Sequence, residues 1–185
     1  MRIVKVLIAG LVALTVSVLT ILQPAAADSK DSWDKLSTAL VFGLAGGAEW
    51  KTVALGDKTG QMEFFETMAA TLAVSEGLKA VIHKRRPDGS SNDSFPSAHT
   101  ALAFAAASYF DIRYGAENKA LVPFLYGAAA LAGLGRVQAK KHFMGDVAAG
   151  ALIGVALAHT FTTPNNDLSM YPTGDGMGIN YVKHF

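Results

Sequence analysis

Apolar positions recur along most of the chain at helical spacing, and nowhere do they alternate long enough to build a sustained strand. Five helical regions follow from this pattern, at 33–53, 61–82, 98–114, 117–139 and 145–162. The breakers fall between them: Gly56-Asp57-Lys58-Thr59-Gly60, the segment from Pro87 to Pro96, and Gly115. Small residues such as Gly127-Ala128-Ala129-Ala130 and Ala148-Ala149-Gly150-Ala151 let helix backbones approach closely. The fold class expected is all-α, a single-domain helical bundle over 28–163. The segment 164–185 is polar and rich in Asn, Asp, Gly and Pro, with one short strand expected at 178–185. A lone strand cannot close a barrel, so this segment reads as an ordered or loose tail.

The first 27 residues read differently. Arg2 and Lys5 precede an apolar run from Leu7 to Leu22, and Ala25-Ala26-Ala27 supplies small residues for cleavage. That is the pattern of a secretory signal, followed directly by the polar stretch Asp28 to Asp34. The expectation is an exported domain, in the periplasm or on the periplasmic face of a bacterial membrane. Charge changes little. The chain has 16 basic against 15 acidic residues, and loss of the leader leaves 14 against 15. A nearly neutral protein has no general attraction for nucleic acid, so anion binding must come from local clusters. Cysteine is absent, so packing alone holds the fold.

The helices leave membrane association open. Region 61–82 carries Glu63, Glu66, Glu76 and Lys79, too many charges for an ordinary spanning helix. Segments 121–137 and 147–163 are apolar but sit at the short end of the roughly 17–20 residues a bilayer needs. A compact helical core explains them as well as lipid does, and a periplasmic or membrane-associated domain accounts for them better than a full multispan protein.

Three clusters carry chemistry: Lys79 with Arg86-Pro87, then Pro96-Ser97-Ala98-His99, then Arg136, His142 and Asp146. Each has a plain structural alternative. Lys79 or Arg86 at a helix end complements the helix dipole, Ser97 caps a helix, and His142 with Asp146 is a surface pair one turn apart. Together they supply three permanent cations, two histidines, a carboxylate and a hydroxyl at a helix start. That set holds a phosphate and moves it. Phosphoryl transfer is catalysed mainly by positioning and by stabilising charge on the equatorial oxygens. Arg86 and Arg136 present planar forks, Lys79 a point charge, and the backbone near Ser97-Ala98-His99 a helix N-terminus. A neutral histidine is a competent nucleophile. Asp146 is expected to orient His142 through its second ring nitrogen, and His99 to protonate the leaving alkoxide.

These residues resemble the signature of the type 2 phosphatidic acid phosphatase superfamily, which also includes bacterial acid phosphatases and vanadium haloperoxidases. The resemblance implies His142 as nucleophile, Asp146 as its partner and His99 as acid. It further implies that Lys79, Arg86, Ser97 and Arg136 bind phosphate, with Ala98 contributing its N–H. No metal and no cofactor is implied. The substrate expected is a phosphorylated lipid or a small-molecule phosphate. Two positions depart from the pattern: Ala98 stands for a glycine and Gly135 for a serine. Alanine at 98 is strained if that backbone needs positive φ. Three other readings compete: a vanadate-dependent haloperoxidase, disfavoured by the short chain; a metal site of His99, His142 and Asp146, disfavoured by the cations; and a non-catalytic anion-binding, membrane-associated protein, which needs neither histidine. Of the remaining candidates, His83, Lys84 and Arg85 add basic character beside the pocket or are merely solvated, His159 reads as a core or boundary histidine, and His184 as a bystander.

Overall fold

The computed structural model describes residues 29–173 and 176–183; the expected leader at 1–27 and His184 lie outside the described residues. Five helices follow in order: α1 Ser29–Leu55, α2 Lys58–Val81, α3 Ala98–Tyr114, α4 Val122–Gln138 and α5 Met144–Phe161. The body is all-α. Expected and observed boundaries coincide for α3, where Ser97 caps the start and Gly115 ends it. The fourth helix starts five residues later than the apolar pattern suggests. Pro123 sits in its first turn, where a missing N–H costs nothing, and the chain before it turns through Leu121 N–H to Asn118 C=O at 2.8 Å.

Each outer helix shows one stripe to the core. On α1 the buried positions are Leu36, Ser37, Val41, Leu44, Ala48 and Thr52; on α2 they are Gly60, Phe64, Thr67, Thr71 and Ser75. α3 is buried on nearly every side and forms the centre of the bundle. α5 lies directly against it because Gly150 and Gly154, one turn apart, remove the side chains that would hold the backbones apart. A Cβ at Gly154 would stand 2.1 Å from the Ala101 carbonyl oxygen, and one at Gly150 2.5 Å from that of Ser97. This contact sets the N-terminal ends of α3 and α5 side by side.

The far end of the bundle is closed by Arg113 on α3. Its fork donates to both oxygens of Asp57 at 2.7 Å, and its Nη1 to Glu63 at 3.0 Å. Tyr114 donates to the same Asp57 at 2.7 Å. Tyr114 Oη also lies 3.2 Å from Thr52 Oγ1 of α1, so the network pins α1, α2 and α3 together around a buried cation.

The tail is more ordered than expected. β1 (Asn166–Thr173) and β2 (Gly176–Lys183) form an antiparallel hairpin, pairing Asn166 with Lys183 and Thr173 with Gly176. The strand expected at 178–185 is β2, and the pattern alone gave no sign of its partner.

Candidate functional site

The site forms where the loop from Ile82 to Ser97 and the α4–α5 turn meet the first turns of α1 and α3. Two loop ties fix it. The Asp88 N–H donates to the Lys140 carbonyl at 3.0 Å, and Lys141 donates to the Asp88 carboxylate at 2.8 Å. Lys140 itself has a φ of 58°, a left-handed turn that ends α4 and redirects the chain towards His142.

His142 is 2 % exposed. Its Nδ1 lies 2.6 Å from the carbonyl oxygen of Ser94. A carbonyl only accepts, so Nδ1 carries the proton and Nε2 keeps a free lone pair. Burial pushes the imidazole pKa down to about 4; the Ser94 carbonyl opposes this, and the nearby Arg136 and Arg86 add to it. His142 is therefore neutral at pH 7.

Asp146 does not orient His142 in the way the motif suggests. The acceptor on the ring is Ser94, because the 94–97 segment reaches the imidazole first. Asp146, fully buried, instead takes Lys84 Nζ at 2.6 Å, Ser94 Oγ at 2.6 Å and the Phe143 N–H at 2.9 Å. Burial favours its neutral form, but these three donors hold the carboxyl below its ordinary range. Lys84 is thus part of the site rather than a solvated bystander, and its ammonium lies 4.7 Å over the Phe143 ring.

His99 sits in the first turn of α3, with Nε2 3.2 Å from Thr38 Oγ1. Burial, then Arg136, lowers its pKa to about 4; Asp34 opposes, while His142 and Lys79 add to the lowering. Arg136 thus lowers the pKa of both imidazoles. Ser97 caps α3, its Oγ accepting the Thr100 N–H at 3.4 Å, and its own N–H donates to the Asp146 carbonyl at 3.0 Å. The first-turn N–H groups of Ala98 and His99 have no carbonyl four residues back within the helix. Ala98 is helical, and Lys140 alone among described non-glycine residues has positive φ, so alanine there carries no strain.

The cations are all partly committed. Lys79 contacts Glu76 at 2.8 Å, Arg86 Nη2 donates to Asp93 at 2.8 Å, and Arg136 Nη1 pairs with Asp34. Arg86 Nε also lies 2.8 Å from Asp93 Oδ1, whereas the Nε–H of Arg136 is buried with no hydrogen-bond acceptor among the described residues. Leaving such a donor unmade costs about 1–3 kcal/mol unless an anion meets it. Gly135 follows from the same crowding. A Cβ there would lie 3.1 Å from the Trp33 carbonyl oxygen and from Ser37 Cβ, so α1 occupies the space a serine would need.

Lys79, Arg86, Ser97, Ala98, His99, Arg136, His142 and Asp146 are thus brought to one end of the bundle. Asp34, Thr38, Lys84 and Ser94 join them, and sequence reasoning missed all four roles. His83 and Arg85 are exposed, and so is His159, which is not a core residue. No group of three or more His, Asp or Glu side chains is placed to hold a metal among the described residues.

Residues 88–168 match the family model described as the PAP2 superfamily; Pro96, Ser97, His99, Arg136, His142 and Asp146 fall inside that span, Lys79 and Arg86 before it. The chain is 29% identical over 134 residues to a lipid A 1-phosphatase of Porphyromonas gingivalis, covering 72% of this chain. It spans only 28% of that protein's length. In three dimensions it is similar to the crystal structure of Aquifex aeolicus LpxE, with a TM-score of 0.56 at 24% identity, covering 69% of this chain and 83% of that one. That likeness is one of fold.

Proposed function

We propose that the chain is a PAP2-type lipid phosphate phosphatase working through a phosphohistidine on His142, a reading supported by the match of residues 88–168 to the PAP2 model and by the similarity to a lipid A 1-phosphatase. The observation that carries the reading is the buried, acceptorless Nε–H of Arg136 together with a histidine whose Nε2 lone pair is free. Arg136 and Arg86 suit the equatorial oxygens of a phosphoryl group, with Lys79 and the Ala98 and His99 N–H groups completing the cradle.

In this reading His142 Nε2 attacks phosphorus and the ester P–O bond breaks. His99 gives its proton to the departing alkoxide, then takes one from the water that hydrolyses the phosphohistidine. The Ser94 carbonyl steadies the Nδ1–H as the ring becomes cationic, and Asp146 with Lys84 holds that segment in place. The permanent cations do the neutralising work a metal would otherwise do, so turnover needs none.

A lipid substrate suits the surface. Phe42, Trp50, Phe65, Phe124 and Leu152 are exposed around the bundle, and Phe143 and Met144 are exposed directly beside His142. α5 is, among the described residues, the one helix long and apolar enough to cross a membrane by length and composition. We place the protein at the periplasmic face of a membrane, delivered there by the leader. The test is phosphate release by purified chain from a panel of lipid and soluble phosphates. Turnover of lipid phosphates, lost in His142→Ala, supports the reading; release that survives that substitution removes it.

A further inference from the structure

The two histidines of the site are held through different ring nitrogens. His142 gives its Nδ1–H to the Ser94 carbonyl, whereas His99 meets α1 through Nε2, 3.2 Å from Thr38 Oγ1. The threonine is turned for this contact. Thr52, Thr71 and Thr160 each donate to the carbonyl four residues back in their own helices, at 2.7–2.9 Å. Thr38 has no such bond among the described residues and presents its hydroxyl to the imidazole instead. Its place is fixed as well. The preceding residue, Ser37, donates to the Ala132 carbonyl at 2.8 Å and lies against Gly135, so α1 cannot slide at this turn. His99 Nδ1 has no partner among the described residues and, unlike Arg136 Nε, is not sealed from solvent.

We infer that Thr38 is a positioning residue for the acid: it accepts the Nε2–H of His99 throughout turnover, which leaves Nδ1 as the nitrogen that exchanges protons. The inference rests on the phosphatase reading above. As an imidazolium, His99 has both nitrogens protonated, and Thr38 can only accept from Nε2. The Nδ1–H passes to the alkoxide as the P–O bond breaks. The electron pair left on Nδ1 then takes a proton from the water that attacks the phosphohistidine. The Nε2–H stays on Thr38 in both steps, so the ring does not have to flip between them. His142 works in the opposite sense, with its Nδ1–H held and its Nε2 reacting. Thr38 belongs to α1 and lies outside residues 88–168, the span that matches the family model.

The test has two arms, both on the full chain. The first measures kcat/KM on an activated aryl phosphate and on the alkyl lipid phosphate turned over best, in wild type, Thr38→Val, Thr38→Ser and Thr160→Val. This ratio reports the steps up to release of the alcohol, so later hydrolysis does not enter. Thr38→Val keeps the shape and loses the hydroxyl. It should lose about ten- to a hundredfold on the alkyl ester and less than about threefold on the aryl ester. Thr38→Ser should return the alkyl ester to within about threefold of wild type. Thr160, exposed in the last turn of α5, is the control, and Thr160→Val should match wild type. Equal losses on both esters, or no loss on the alkyl ester, overturn the inference. The second arm needs no Thr38 variant. In nitrogen-15 NMR of histidine-labelled wild type at pH 7, where His99 is neutral, its ring proton should sit on Nε2, the signal being assigned by its absence from His99→Gln. A proton on Nδ1 overturns the inference. Wild type that turns over no lipid or soluble phosphate overturns the phosphatase reading itself, and the inference with it.

Discussion

His142 donates its Nδ1–H to the Ser94 carbonyl at 2.6 Å, while the Ser94 hydroxyl donates to Asp146 at 2.6 Å. One residue therefore stands between the histidine and the carboxylate that the motif pairs directly. Ser94→Ala keeps the carbonyl and removes the hydroxyl. It should retain kcat within about tenfold while lowering stability by about 1–2 kcal/mol, because a buried carboxylate loses one of its hydrogen-bond donors. Steady-state kinetics with thermal melting separates the two. A collapse of kcat in a folded Ser94→Ala chain would show that the hydroxyl, not the carbonyl, is what positions the ring.

Lys84 and Asp146 form a pair that is exposed at one end only, 40 % against 0 %. Removing the cation strands a buried carboxylate, which is the expensive way to break such a pair. Lys84→Met should cost about 2–4 kcal/mol, and Lys84→Arg should recover part of that loss. Asp146→Asn should slow the chemical step without unfolding the chain, since its amide oxygen still accepts the Phe143 N–H. Denaturation curves and kcat on one substrate decide both.

The packing of α3 on α5 makes its own prediction. Gly154→Ala places a methyl 2.1 Å from the Ala101 carbonyl oxygen, a backbone atom that cannot turn aside. The helices must part, costing roughly 1–3 kcal/mol or more, and activity should fall because His99 and Asp146 sit on those two helices. Gly47, whose added Cβ meets nothing within 4 Å, is the control. Gly47→Ala should stabilise the chain by about 0.5–1 kcal/mol through helix propensity alone. Melting temperatures moving the same way in both variants would contradict this account of the contact.

What could be read in the sequence was what local chemistry controls. Ser97 and Gly115 fix the ends of α3, and the spacing Arg136, His142, Asp146 grouped three residues that lie along the connection from α4 to α5. What could not be read depends on partners distant in sequence. Lys84 meets Asp146 across 62 residues and Arg136 meets Asp34 across 102. Neither pair leaves a periodic trace. Asp34 in an early helical turn reads as a dipole complement, and Ser94 as one more polar loop residue. β1 was hidden because Asn166, Asp167 and Pro172 all disfavour a strand, and register with β2 overrides that preference.

Acidity should tune the proposed activity through the two histidines. Both have pKa values lowered to about 4, so the folded chain binds fewer protons than the unfolded chain between about pH 6.5 and 4. Their contribution to stability is therefore constant above about pH 6.5 and is lost as pH falls towards 4. Catalysis runs the other way on one limb: His142 must be neutral and His99 protonated. Both titrate near the same pH, so kcat/KM for an alkyl phosphate should peak at about pH 4–5 and decline towards neutrality. Bound phosphate, being anionic, raises His99 and moves the kcat optimum above that of kcat/KM. An alkyl-ester kcat/KM optimum above pH 7 would take the acid's role away from His99.

The nucleophile is tested most directly by trapping. A brief reaction with labelled substrate should leave an acid-labile, base-stable phosphoryl group on His142, and His142→Ala should lose both label and turnover. His99→Ala should behave differently, because its imidazole delivers a proton rather than forming a bond to phosphorus. An activated aryl ester has a leaving group stable without that proton, so the variant should still be labelled by it. An alkyl ester needs the proton as the P–O bond breaks, and its turnover should drop by about 10²–10⁴-fold. The contrast separates the two histidines in a way that loss of activity alone cannot. Equal losses on both esters in a folded His99→Ala chain would assign His99 to binding phosphate. Label retained in His142→Ala would move the covalent step to another residue.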